Sequence, residues 1–168
     1  MDSTAATPDL VAILRRQLDC SLAMLENAIG LCPEKSWADD SGHAPVWEQV
    51  YHALFWFNAW LRDWSKPIAY PEFHVKEALD IKRRSGAVIS RGQMLGYLAK
   101  VRADYEAFAA GVTPASLLDR EEAWGAKWSA ADRLLGQVRH IQHHVGYLNA
   151  ILSTTHRVHV GWIGYGER

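Results

Sequence analysis

Leu10, Leu14, Leu18, Leu22 and Leu25 recur three or four residues apart, the spacing that puts side chains on one helix face. Thr7 followed by Pro8 predicts the start of this first helix, and Gly30 with Pro33 predicts its end. A polar link over residues 34–42 leads to a second helix beginning near Pro45. Its apolar positions Val46, Val50, Leu54 and Leu61 are accompanied by Trp47, Phe55, Trp56, Phe57 and Trp60. A helix apolar nearly all round is buried on most of its faces. Residues 66–89 are punctuated by Pro67, Pro71 and Gly86 and read as a long connection. Ser90 and Gln93 form a capping-box pattern for a third helix, which Met94, Leu98, Val101, Tyr105 and Phe108 bury and Gly111 stops. Residues 113–128 read as a second connection with at most one helical turn. Ser129 caps a last helix from Ala130 to about Leu152, and the glycine-rich tail beyond reads as extended. No alternating run is long enough for a strand. The pattern predicts a single all-α domain over residues 1–168, a four-helix bundle with long inter-helix connections.

The 168 residues are 49% hydrophobic and 22% charged, enough for one domain to bury a core without staples. A formal net charge of -1 with scattered Lys and Arg argues against nucleic-acid binding, and Lys82-Arg83-Arg84 reads as a solvated loop. Two cysteines, Cys20 and Cys32, are too few for a disulfide framework and show no zinc-finger spacing. No stretch approaches the roughly 20 apolar residues of a membrane span, and the amino terminus lacks a secretory pattern. The expectation is a cytoplasmic protein with reduced thiols and no membrane partner.

The segment RHIQHHVGYLNAIL changes the picture, because it places three histidines among the apolar positions Val138, Ile141, Val145, Leu148 and Ile151. A buried imidazole needs a partner. His140 and His144, four apart, share one face, whereas His143 points aside. The pair is spaced as in the zinc-protease pattern H-E-x-x-H, yet Ile141 stands where that pattern needs its glutamate. His52 lies in the second apolar helix. Bundle sites are built from facing helices, so His52, His140 and His144 form a candidate metal site with coordination positions open to water or substrate. His43, His74, His156 and His159 fall in links or the tail and read as ordinary solvated histidines.

The segments APVWEQVYH and HIQHHVGYL carry a resemblance to the DinB-like (DinB/YfiT) superfamily of metal-binding four-helix bundles. The second resembles the family's H-x-x-x-H-x-G pattern, with Gly146 two residues after His144. Many relatives carry an acidic residue where this chain has Gln142 and His143. The resemblance implies one divalent ion on His52, His140 and His144, zinc or nickel first, with iron or manganese as alternatives. It also implies a non-simple bundle topology and a homodimer. It further suggests a transferase or isomerase that uses a low-molecular-weight thiol against an electrophilic small molecule. The competing reading is a non-enzymatic metal-binding bundle with a structural or stress-related role. A fourth protein ligand would favour the latter.

Trp56, Trp60 and Trp64 repeat every four residues along the second helix. They read as core or dimer interface, or as the wall of an apolar substrate pocket in which Trp56 is best placed. Glu48 and Gln137 are each about one turn from a histidine ligand and are candidates to orient the imidazoles. Neither cysteine is placed as a nucleophile, so a thiol would come from a cosubstrate.

Overall fold

The computed structural model describes residues 9–81 and 86–164, and Thr7, Pro8 and the Lys82-Arg83-Arg84 run lie outside them. Helix α1 spans Leu10–Leu31 and is capped by Asp9, whose carboxylate accepts from the Val11 and Ala12 backbone N–H groups. A single-turn helix α2 (Glu34–Trp37) interrupts the first link. Helix α3 spans Val46–Leu61, with Pro45 in the cap position and its carbonyl taking the Glu48 and Gln49 N–H groups. A 3₁₀ turn over Lys76–Leu79 packs against α3. Helix α4 (Arg91–Ala110) opens on the Ser90–Gln93 capping box, and α5 (Ala130–His156) opens on a second box between Ser129 and Asp132. Among the described residues no helix is long and apolar enough to cross a membrane.

Helix α5 runs one turn past Leu152, and there the hydroxyls of Ser153, Thr154 and Thr155 are satisfied by carbonyls of the preceding turn. It stops at Arg157, which takes a left-handed conformation (φ 56°). His156 therefore belongs to the helix, where it bonds the Ser36 hydroxyl.

The four long helices form a ring. Helix α1 packs on α5, α5 on α3, α3 on α4 and α4 on α1. Consecutive long helices α1 and α3 thus lie across a diagonal, as do α4 and α5. Short loops cannot make those two crossings, and the connection from α3 to α4 is long because these neighbours run parallel, with Tyr51 meeting Tyr97 and Asn58 meeting Asp104. Helix α3 is the most enclosed, with Val46, Val50, Ala53, Leu54 and Phe57 fully buried. It runs antiparallel to α5, since Gln49 meets His144 near one end and Arg133 meets Trp60 near the other.

The second connection holds an antiparallel hairpin, β1 (Arg120–Ala123) and β2 (Ala126–Ser129), where the sequence pattern predicts at most a helical turn. Trp124 and Gly125 make its turn, both at positive φ (52° and 75°), the geometry that suits the twist of a two-residue hairpin. A bulky residue resists that conformation. Aromatic packing holds it there: the Trp124 ring lies 4.3 Å from Trp60 and 5.3 Å from Trp64, centroid to centroid.

Arg133, in the first turn of α5, fastens the hairpin to the bundle. Its guanidinium is buried (3% exposed), lies over Trp64 and Phe108, and bonds the Trp60 carbonyl at 2.9 Å, the Arg62 carbonyl at 2.5 Å and Glu121 on β1 at 3.1 Å. Two carbonyls at the end of α3, which have no helical N–H to take, are thereby satisfied. Replacing Arg133 by Met should lower unfolding free energy by about 3 kcal/mol, the scale of losing charged hydrogen bonds and leaving buried carbonyls unpaired. Urea denaturation would measure it, and a loss below about 1 kcal/mol would contradict this role.

Candidate metal centre

The facing sides of α3 and α5 bring His52, His140 and His144 together. One nitrogen from each lies within 4.8 Å of the others, and the His140 and His144 Nε2 atoms are 3.2 Å apart. His144 is buried at 3% exposure, while His52 and His140 are partly covered. His143 is exposed and points away, as its spacing predicts.

Each of the three rings has its Nδ1 occupied. His52 Nδ1 donates to the Leu79 carbonyl at 3.0 Å, and a backbone carbonyl can only accept, so that tautomer is fixed. His140 Nδ1 meets Gln137 Oε1 at 2.9 Å, and His144 Nδ1 meets Gln49 Oε1 at 3.1 Å. With protons on all three Nδ1 atoms, the Nε2 lone pairs converge on one another with no proton between them. Such a cluster attracts a cation. Hydrogen bonds of this kind are how proteins fix ligand tautomer and raise ligand basicity.

Burial, first of all, and then the neighbouring imidazoles keep the triad neutral. It depresses His52, takes His140 down to about 4 and His144 down to about 3. Neutral imidazole is the form that binds metal.

Sequence reasoning anticipates the triad and Gln137. It does not anticipate Gln49 or Leu79, and it names Glu48, which is fully buried but is not the group that takes His52 Nδ1. Leu79 acts through its backbone in the 3₁₀ turn, so its side chain carries no signal; Gln49 is polar in an apolar helix, and that is a readable hint. His74, read as a solvated link histidine, bonds the Tyr51 hydroxyl at 2.6 Å and stacks with Phe55 and Tyr70. That contact pins the connection carrying Leu79 onto α3. His43 bonds the Ala44 carbonyl, and His159 is exposed.

A pocket of about 450 Å³ opens beside the triad. Helix α3 supplies His52, Trp56 and Trp60, α5 supplies Asp132, Gly136, Gln137 and His140, and the hairpin supplies Trp128. Trp60 and Trp128 meet edge to face at 5.0 Å, and Trp56 meets His52 at 6.4 Å. Gly136 leaves the pocket open, because a Cβ there would touch nothing within 4 Å. Trp64 stands apart from the pocket and stacks on Arg133. The tryptophan stripe is thus engaged within the chain. Cys32, buried and with its thiol pushed up to about 11 by that burial, is no nucleophile.

The model of a protein family, the DinB superfamily, matches residues 17–148, a span that runs from within α1 to within α5 and includes all three histidines. No curated protein and no solved structure matches the chain.

Two outcomes follow from this geometry. Gln49→Met should weaken affinity for a loaded divalent ion tenfold or more, roughly the effect of losing a partner that orients a ligand, while leaving far-ultraviolet circular dichroism unchanged. In the presence of chelator, the histidine contribution to stability should be constant above about pH 7 and fall as pH drops from about 6.5 toward 4. The unfolded histidines bind protons across that window and the folded ones refuse them. The loss approaches about 1.4 kcal/mol per pH unit for His144 alone, and the profile should become shallower in His144→Ala.

Proposed function

The chain belongs to the DinB superfamily, and on that footing we propose that it is a metal-dependent enzyme of small-molecule thiol chemistry. His52, His140 and His144 would hold a divalent ion, zinc or nickel first, and the site would direct a low-molecular-weight thiol at an electrophilic substrate, as a transferase or isomerase does. The observation that supports this most is the union of two features: three donor nitrogens without a fourth, and a pocket that reaches two of them. Among the described residues the cluster comprises these histidines alone, with no further His, Cys, Asp or Glu closing it. Structural ions are closed by four protein ligands, and catalytic ones keep a position open.

The donor set fits such an ion. When bound, it supplies the positive charge that lowers the pKa of a coordinating thiol and so yields thiolate near neutral pH. The chain does the rest. Gln49, Gln137 and the Leu79 carbonyl hold the imidazoles in one tautomer and one orientation. Trp56, Trp60 and Trp128 give the pocket an apolar wall beside the triad. The cosubstrate supplies the sulfur, since neither Cys20 nor Cys32 lines the pocket.

Purified without a polyhistidine tag, the protein should carry close to one equivalent of divalent ion, and the variant with all three histidines changed to alanine should carry next to none. In the cobalt-substituted protein an added thiol should produce a sulfur-to-cobalt absorption band that His140→Ala abolishes. The wild type should then speed conjugation of that thiol to an activated electrophile, measured below about pH 8.5, where a free cysteine-like thiol is mostly protonated. A spectrum that ignores every thiol, with no rate above that of the triple variant, would overturn the enzymatic reading.

A further inference from the structure

Beyond the triad, the pocket has a polarity of its own. Of its lining side chains Asp132 is the one carboxylate, and the rest are two triad histidines, three indoles, an amide and a glycine. Asp132 is also the residue that closes the α5 capping box, but the box uses one oxygen. Both the Ser129 N–H, at 2.9 Å, and the Ser129 hydroxyl, at 2.7 Å, bond to Oδ2. Capping leaves Oδ1 over. Those Ser129 bonds hold the carboxyl below the usual carboxylate range, so it is ionised at neutral pH.

The basic groups nearby do not cancel it. Arg133, next in sequence, turns its guanidinium between Trp64 and Phe108 and bonds Glu121 and two carbonyls. Arg120, exposed on β1, is the cation whose field reaches Asp132, and it acts from outside the pocket lining. Indole faces attract cations, and a carboxylate beside them adds to that attraction. Asp132 and Trp60 stand eight residues from His140 and His52 on antiparallel helices, which sets the two ends of the pocket about 12 Å apart along the helix axis. One end would carry the charge of the metal and the other carries the carboxylate.

We propose that this pocket selects ligands bearing an alkylammonium group, seated against Trp60, Trp128 and Asp132, with a metal-binding donor at the opposite end of an extended chain. The inference rests on the reading of the triad as an open metal centre and deepens it by giving the ligand a charge and a length. The reverse orientation would set ammonium against the ion and is electrostatically unfavourable.

The test uses cobalt-loaded protein and thiols of two, six or eight methylenes, each ending in ammonium, hydroxyl or carboxylate, with dissociation constants read from the sulfur-to-cobalt band. For the two longer chains the ammonium end should bind at least fivefold tighter than the hydroxyl end, and the carboxylate end most weakly. The shortest chain cannot reach Asp132 and keeps its terminus beside the ion, so its ammonium end should bind no tighter than its hydroxyl end. Asp132→Asn, which keeps an oxygen for the Ser129 cap, should cut the preference to the smaller one the indoles alone supply, without lowering cobalt content. A second arm needs no thiol: octylammonium against octanol on zinc-loaded protein, followed by the indole N–H signals of Trp60 and Trp128. Equal affinities for ammonium and hydroxyl in both arms would overturn the proposal and mark the pocket as a site for neutral apolar ligands. A preference that survives undiminished in Asp132→Asn would also overturn it. If no thiol gives a band but octylammonium still binds at least fivefold tighter than octanol, the thiol reading fails and this proposal stands.

Discussion

Three imidazoles whose Nε2 lone pairs converge cannot be packed together for nothing. With Nδ1 protons directed to the Leu79 carbonyl, Gln137 and Gln49, the inner edges of His52, His140 and His144 present only acceptors to one another, two of them 3.2 Å apart. Buried acceptors without a donor are costly. A cation at their focus resolves the conflict, and much of the surrounding fold serves to keep the conflict in place. The antiparallel pairing of α3 and α5 sets the histidines opposite one another. The Tyr51–His74 bond holds the connection that delivers the Leu79 carbonyl. Both orienting amides come from the same two helices as the ligands, so rigid elements fix the geometry throughout.

The aromatic end of the pocket depends on a second piece of buried polarity. Arg133 satisfies carbonyls left over where α3 stops and reaches across to Glu121, so one side chain joins α3, α5 and the hairpin. The hairpin in turn brings Trp128 to the pocket and holds Trp124 in a backbone conformation a tryptophan would avoid alone. Indole packing of this area offsets that strain. The result is a cleft with donor nitrogens at one end and a carboxylate among aromatic rings at the other.

Much of this was legible in the sequence, and the exceptions have physical causes. The long helices declared themselves because apolar residues recur at helical spacing and because Ser90–Gln93 and Ser129 cap as such residues do. The triad was legible because histidines are conspicuous inside apolar helices. The hairpin was not. Its strands, Arg-Glu-Glu-Ala and Ala-Lys-Trp-Ser, have no β-branched residue and little burial, and its turn is Trp-Gly rather than a usual turn pair. It forms through tertiary contacts with Trp60, Trp64 and Arg133, which no local pattern records. Glu48 was misread for a related reason: sharing a face with His52 does not bring it to Nδ1 when a carbonyl from a distant turn is already there.

The most direct test of the account is proton magnetic resonance of the cobalt(II)-loaded protein in water and in deuterium oxide. Ligation through Nε2 by three histidines leaves three Nδ1 protons close to the paramagnetic ion, each bonded to an acceptor and slow to exchange. Three strongly shifted resonances should appear in water and disappear in deuterium oxide, and each single substitution of His52, His140 or His144 by alanine should remove one of them. A spectrum with no shifted exchangeable resonances, or one unchanged by those substitutions, would contradict the assignment of this site.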